Sequence, residues 1–508
     1  MAIQLSCASF LGVEGVIISV EIDISRGIPS FNIVGMADTS VKEAKDRVRA
    51  AIINSGYEFP NNKITINLAP ADLKKEGTMF DLPIAIGLLI ESEQIEVEDI
   101  NQYLIMGELS LSGNLKKVRG VLPIVIEGHK KGFNKFLIPY NNYKDCSMIK
   151  DINVYPLNNL KQTVNFLIYK DMPKYYFPVE EKKENSESNL DFEDVIGQEA
   201  TKRALEVSAA GGHNILMFGA PGSGKTMLAQ RIVSILPKLT YEESLEVTKI
   251  YSVYGTSNYK GGLIDERPFR SPHNTTTEIA LCGGGRNLLP GEISLAHNGV
   301  LFLDEILEFK KNIIQLLRQP LEDRKIKITR NSGTVEYPCS FMLVAALNPC
   351  PCGFYGTNIK PCRCSDYEIK RYIGKLSGPL LDRIDIFTYV NPLSYGEINS
   401  NIKKESSSEI RKRVENAREI QSKRFENEKI RCNAEMSQKH IKQHCAIDNK
   451  TSKVLELAFE KFHLSTRGYS RILKVARTIA DIESSEKIEE HHIIEALNYR
   501  KFINNEII

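Results

Sequence analysis

The chain has 508 residues, too many for one hydrophobic core, so about two to four domains are expected. Its 66 basic residues nearly balance 64 acidic ones, for a net charge of +2, which excludes a uniformly basic nucleic-acid binder and leaves any basic surface to local clusters. The longest apolar run, about Leu82 to Ile90, is too short to span a bilayer, and the first residues lack an export pattern, so a cytoplasmic protein with no membrane partner is expected.

Residues 1–172 alternate short strands with helices, the mark of an α/β domain. Val13 to Ile24 reads as a strand, and Ser40 to Asn54 as an amphipathic helix with Val41, Ala44, Val48, Ala51 and Ile52 on one face. Ile64 to Leu68 alternates as a half-buried strand, Asp81 to Glu91 reads as a more apolar helix, and Tyr103 to Leu111 as a strand ending at the Ser112-Gly113-Asn114 turn. Two stretches, Lys75-Glu76-Gly77-Thr78-Met79-Phe80-Asp81 and Gly107-Glu108-Leu109-Ser110-Leu111-Ser112-Gly113, resemble the proteolytic domain of Lon proteases, a ribosomal-S5-like fold. That resemblance puts the serine nucleophile at Met79 and its activating lysine at Leu122. Neither side chain can do the chemistry, so it implies the fold and argues against proteolysis; the expected role is a scaffold or substrate-guiding domain, with Ser110 or Lys116 standing in as the alternative. A charged segment, residues 173–190, contains Glu180 to Asn189 with nothing apolar to bury and reads as a linker, after Tyr175-Tyr176-Phe177, which is expected to pack on the front domain.

Residues 191–395 carry the phosphate chemistry. Ile215 to Phe218 reads as a buried strand and Met227 to Val233 as a helix; between them stands Gly219-Ala220-Pro221-Gly222-Ser223-Gly224-Lys225-Thr226. Strand, glycine loop and helix turn this G-x-x-x-x-G-K-T match into a phosphate-binding loop. Its glycines turn backbone N–H groups around phosphate oxygens, and the helix N-terminus adds partial positive charge. Lys225 is expected to reach the β- and γ-phosphates and Thr226 to ligate Mg²⁺, which makes ATP and Mg²⁺ the expected cofactors. Val300 to Leu303 is a second apolar strand, ending in Asp304, expected to hold Mg²⁺ through water, and Glu305, expected to orient the attacking water.

Arg324 to Tyr337 reads as a β-hairpin turning at Asn331-Ser332-Gly333, with Lys325 and Lys327 on one face and Ile326 and Ile328 on the other. A third apolar run, Phe341 to Leu347, ends at Asn348; the three apolar strands should lie side by side with their ends at one crevice. Cys350-Pro351-Cys352 and Cys362-Arg363-Cys364 can close a tetrahedral thiolate site suited to structural Zn²⁺; the alternative is four free thiols in a loop. Residues 396–508 are mostly helical in periodicity, with Val454 to Phe459 in one amphipathic helix.

These motifs resemble those of AAA+ ATPases. The opening segment Asp191 to Gln198 is similar to the stretch that packs near adenine in that class, and Asn348 to its sensor 1. Arg383, in Gly378-Pro379-Leu380-Leu381-Asp382-Arg383-Ile384-Asp385, resembles the arginine finger offered to a neighbouring subunit's nucleotide; the alternative is an arginine paired to Asp382 or Asp385. Ser465 to Arg477 resembles the sensor 2 segment of a helical lid, with Arg467 favoured and Arg471 next as the γ-phosphate contact.

Arg267 to Thr276, Gly283-Gly284-Gly285, Pro290 to His297 and Leu317 to Glu322 resemble the magnesium-chelatase-like branch of AAA+ proteins, and with the Lon-like front the resemblance narrows to the ComM/YifB family. A second histidine usual after His273 is Asn274 here. The resemblance implies a homo-oligomeric ring, a hexamer, acting as a DNA helicase or branch-migration motor in recombination or natural transformation. It also implies that Lys325, Lys327 and Arg330 of the hairpin face DNA in the pore; a solvated hairpin face is the alternative reading. A chelatase ATPase subunit and a protein remodeller are the rival functions.

Overall fold

A computed structural model describes residues 2–36, 38–71, 75, 77–171, 190–255, 261–330, 333–356, 360–393, 404–428, 430–461 and 464–500. In the front region β1 (Ile3–Leu11) and β2 (Glu14–Ser25) pair antiparallel, Ile3 opposite Ile22, and alternation buries Leu5 and Cys7 on one strand and Val20 and Ile22 on the other. With β3 (Ser30–Val34), β4 (Lys63–Ala69), β5 (Tyr103–Ile105), β8 (Lys135–Pro139) and β9 (Asn153–Leu157) they make a seven-stranded sheet in the order β3-β4-β2-β1-β5-β8-β9. The helix Asp81–Glu91 forms as expected and is buried over nearly its whole length, which its continuous apolar run requires.

Two expectations need correction here. The single helix from Ser40 to Asn54 is two, Thr39–Lys42 and Ala44–Asn54, because the Arg47 guanidinium takes the Ser40 carbonyl (2.8 Å) that a continuous helix would use for its own backbone. The strand expected from Tyr103 to Leu111 stops at Ile105. Gly107 N–H donates to the Met79 carbonyl (3.0 Å), Leu109 N–H donates to the buried Asp81 carboxylate (3.2 Å), and β6 (Glu108–Leu109) pairs instead with β7 (Leu115–Lys116). Burial pushes the Asp81 carboxyl up to about 6, although the bidentate Arg47 guanidinium opposes it. Met79 and Leu122 both lie in the core, the Ser110 hydroxyl meets that of Ser112 (3.0 Å), and Lys116 is exposed. The linker expected over 173–190 lies, Leu190 apart, outside the described residues, as does Tyr175-Tyr176-Phe177.

The second sheet is parallel throughout. Its strands β10 (Ile215–Phe218), β11 (Phe269–Arg270), β14 (Val300–Leu303), β17 (Met342–Leu347) and β18 (Ile386–Tyr389) run in the order β11-β14-β17-β10-β18. Both faces are covered, which is why its strands are continuous apolar runs rather than alternating ones. One face carries the helices Glu199–Gly211 and Lys225–Ile235 and, in the same core, the C-terminal helices Ser407–Arg424, Thr466–Ile482 and Glu490–Asn498. The Val454 to Phe459 run falls in the helix Asn449–Lys461.

The other face carries β15 (Lys325–Arg330) and β16 (Gly333–Pro338), the expected hairpin, in register Lys325 to Pro338. Ile326, Ile328, Val335 and Tyr337 are buried, and Lys325, Lys327 and Arg330 are exposed. Its turn residues Asn331 and Ser332 lie outside the described residues. A short glycine pair, β12 (Gly283–Gly284) with β13 (Leu289–Pro290), lies against this hairpin.

The front region rests on the second. Gly120 N–H donates to the Ser252 carbonyl (3.1 Å) and the Tyr241 hydroxyl to the Met148 carbonyl (3.3 Å). The β1–β2 turn touches the hairpin: a methyl group added at Gly12 would collide with Val335. Among the described residues no helix is long and apolar enough to cross a membrane.

Candidate active site

Strands β14, β17 and β10 are neighbours, as expected, so Asp304, Asn348 and Gly219 emerge together at their C-terminal ends. The glycine loop closes onto the helix Lys225–Ile235 through Gly222 (φ +75°) and Gly224 (φ +93°). At both positions an added Cβ would meet nothing within 4 Å, so glycine is required by the left-handed backbone and not by crowding.

Lys225 is almost buried. Its Nζ donates to the carbonyls of Gly219 (2.8 Å) and Ala220 (2.9 Å) and to Asn348 Oδ1 (3.1 Å). Burial lowers its pKa, while the Asp304 and Glu305 carboxylates pull it back up. Thr226 Oγ1 donates to Asp304 Oδ2 (2.7 Å), which sets a hydroxyl and a carboxylate side by side as an Mg²⁺ site requires. Among the described residues the buried Ser223 hydroxyl has no hydrogen-bond partner, so the loop holds a polar atom suited to a ligand's acceptor or donor. A cavity of about 380 Å³ opens beside the loop, lined by Pro221, Gly222 and Gly224 and by Val195, Ile196 and Leu393. The opening segment Asp191 to Gln198 thus forms part of the wall, and the residues present fit a nucleoside triphosphate with Mg²⁺.

Glu305 is exposed and sits in the left-handed region (φ +49°), a conformation that costs a non-glycine residue free energy and concentrates at functional sites. Sequence gave no signal of this strain.

The two expected arginines form a separate group. Arg383 pairs with Glu322, not with Asp382 or Asp385, and also donates to the Pro379 carbonyl (2.5 Å). Arg467 lies 3.7 Å from the other oxygen of Glu322 and is more than half exposed. Arg471 pairs with the buried Asp385, which also faces His213 (3.4 Å). Burial alone would raise the Asp385 carboxyl, but the Arg471 guanidinium and His213 hold it well below the usual carboxylate range. In the sequence Glu322 only closes the stretch Leu317 to Glu322, and nothing in its spacing marks it as the point where both arginines meet.

The remaining candidates fall away from the phosphate loop or beside it. Lys325 pairs with Glu336 across the hairpin (2.8 Å), while Lys327 and Arg330 are exposed. The His273 ring bonds to the Thr275 hydroxyl (2.8 Å), within its own loop. The four cysteines come together beside the loop, with Cys350, Cys352 and Cys362 sulfurs 3.3–3.7 Å apart and all four within 4.8 Å. That grouping is compatible with a tetrathiolate zinc site.

Comparison with known proteins matches residues 191–398 to the family described as magnesium chelatase, subunit ChlI. Residues 20–142 match subunit ChlI of Mg-chelatase, and 404–500 the ChlI C-terminal family. The competence protein ComM of Haemophilus influenzae is 42% identical over 99% of this chain and 98% of its own. YifB of Escherichia coli is 44% identical over 96% of this chain and 95% of its own. The chain belongs to the ComM/YifB family of magnesium-chelatase-like AAA+ proteins. Its resemblance to a chelatase itself is shorter: the 38 kDa magnesium-chelatase subunit of Cereibacter sphaeroides is 25% identical over 31% of this chain and 52% of its own. ComM/YifB membership implies ATP and Mg²⁺, which agrees with the cavity and with the Thr226–Asp304 pair.

Proposed function

We propose that this ComM/YifB protein is an ATP-hydrolysing motor that works as a homohexamer on DNA, as a helicase or branch-migration factor in recombination or transformation. The observation that carries the ATPase reading is the contact of Lys225 with Asn348 and of Thr226 with Asp304 at the ends of three adjacent parallel strands. Bound Mg·ATP supplies a transferable γ-phosphoryl group. Gly219 to Thr226 bind its phosphates, Lys225 exchanging neutral carbonyl partners for phosphate oxygens. Thr226 and Asp304 hold the metal, Glu305 orients water, and Asn348 fixes the position of Lys225. Arg383 of one subunit, freed from Glu322, stabilises charge at the next subunit's site, with Arg467 beside it.

The name of the Haemophilus relative and the exposed Lys327 and Arg330 favour DNA as the track, with Lys325 contributing once released from Glu336. We divide the chain into an inactive Lon-like domain (1–172), a linker (173–190), an AAA+ domain (191–395) and a helical lid (396–508). The protein acts in the cytoplasm, and its four clustered cysteines hold a structural Zn²⁺.

The deciding experiment is ATP turnover with and without single-stranded, duplex and branched DNA, beside strand displacement on forked substrates. Stimulation by DNA is expected, with loss of turnover and retained ATP binding in Glu305→Gln. The chelatase descriptions favour a second reading, a chelatase-type ATPase; stimulation by a porphyrin and not by DNA would establish it instead.

A further inference from the structure

The four-cysteine cluster is not isolated within the loop that follows β17. Cys350 comes two residues after Asn348, and the chain then folds back so that Gly353 lies against the ring of Pro221 in the phosphate loop. An added Cβ at Gly353 would lie only 2.5 Å from Pro221 Cδ, and the backbone there is left-handed (φ +82°), so glycine is needed on both counts. Gly353 N–H donates to the Cys350 carbonyl (2.9 Å), and Tyr355 N–H points at the Cys350 sulfur (3.3 Å). Backbone N–H groups of Phe354 and Arg363 are directed at Cys352. Such N–H donors stabilise thiolates and orient them toward a metal.

The spacing of the sulfurs suits a single tetrahedral ion such as Zn²⁺. A tetrahedron with Zn–S bonds of about 2.3 Å has edges of about 3.8 Å. The resolved sulfur pairs at 3.3, 3.5 and 3.7 Å approach that edge. An iron–sulfur cluster, several atoms across, would force the thiolates further apart. All four cysteines are unbridged, so each is free to act as a ligand. After Cys364 the chain enters the helix Asp366–Ile373 through a Ser365–Glu368 capping box and continues to Gly378 and Arg383. The cluster therefore lies between Asn348, two residues before it, and Pro221, which Gly353 meets.

The geometry points to a regulatory metal: Zn²⁺ held by Cys350, Cys352, Cys362 and Cys364 braces the phosphate loop through Gly353, so that nucleotide affinity follows zinc occupancy. This rests on the nucleotide-site reading above and adds to it a metal requirement distinct from Mg²⁺. Four thiolates leave the ion no open position, so it acts by holding backbone and takes no part in hydrolysis. Without the ion the two C-x-C units lose their common anchor, and the loop loses the closure that holds Gly353 against Pro221.

The test measures zinc content and ATPγS affinity on the full-length protein, purified under reducing, zinc-replete conditions. One zinc per chain is expected, and Co²⁺ substitution should give the absorption of a tetrahedral tetrathiolate. Cys362→Ser with Cys364→Ser should lose the metal and weaken ATPγS binding about tenfold or more, since small displacements of a positioning loop are costly. Gly353→Ala should keep the zinc yet weaken ATPγS, because it breaks the contact and leaves the ligands intact. Extraction of zinc from the wild-type protein, followed by re-addition, should lower and then restore affinity, which separates bracing from misfolding of a variant. Zinc below about a tenth of an equivalent in the wild type would overturn the metal site. Full zinc with unchanged ATPγS affinity in Gly353→Ala and in the zinc-extracted protein would overturn the bracing. If zinc-loaded wild type binds no ATPγS at all, the nucleotide reading itself is what fails.

Discussion

Lys225 and Arg383 are two cations expected at the same kind of nucleotide, and the chain holds them in opposite ways. Lys225 is almost buried and bonds to neutral oxygens, two loop carbonyls and Asn348. It can pass to a phosphate without breaking an ion pair. Arg383 is tied to a carboxylate, Glu322, which Arg467 also faces. Half of the proposed site is thus assembled within one chain, and the other half is parked until something displaces Glu322. A neighbouring subunit's nucleotide, with its several negative charges, is a partner strong enough to do so.

The sharpest way to break this contrast is Arg383→Ala. Turnover should fall roughly a thousandfold, as for other trans-acting arginines, while ATPγS affinity of the isolated chain stays near wild type. Mixing it with Lys225→Ala subunits should restore partial phosphate release, since each variant supplies what the other lacks. Lys225→Ala alone should lose roughly a hundredfold or more in turnover and should lose nucleotide binding too, because its partners lie in its own chain. Equal loss of binding in both variants would erase the distinction. Glu322→Gln should release both arginines and raise turnover or subunit association by no more than about fivefold, since the Glu322 carboxylate is more than half exposed and its ion pairs are screened by water.

The smallest effect concerns pH. Burial alone would raise the Glu246 carboxyl, but hydrogen bonds from His297 and Asn298 and the Arg431 guanidinium hold it at about 2, below its usual 4.5. A depressed carboxylate stabilises the fold above its unfolded value and loses that contribution as pH falls through the folded one. Glu246→Gln should therefore flatten the decline in melting temperature between pH 4.5 and 2, a window set by those two values.

The parallel strands, the glycine loop and the hairpin were readable because each is a local pattern: an apolar run, a phosphate-loop spacing, an alternation of lysine and isoleucine. The α/β class and the adjacency of the three apolar strands followed from them; their order, β14-β17-β10, came from the structure. The break at Gly107 was not readable, since it depends on bonds to Met79 and Asp81 more than twenty residues away. Glu322 was missed for the same reason: its two arginines lie 61 and 145 residues downstream in sequence (383 − 322 and 467 − 322) and meet it only in space. The strain at Glu305 leaves no trace in residue type.

One contact has a mechanical corollary. The β1–β2 turn reaches the basic hairpin so closely at Gly12 that Val335 leaves no room for even a methyl group. The hairpin cannot swing in that direction without carrying the seven-stranded sheet with it. A displacement of the hairpin toward that turn would therefore press on the edge of the front region as well, a mechanical link between the two sheets that runs through a single glycine.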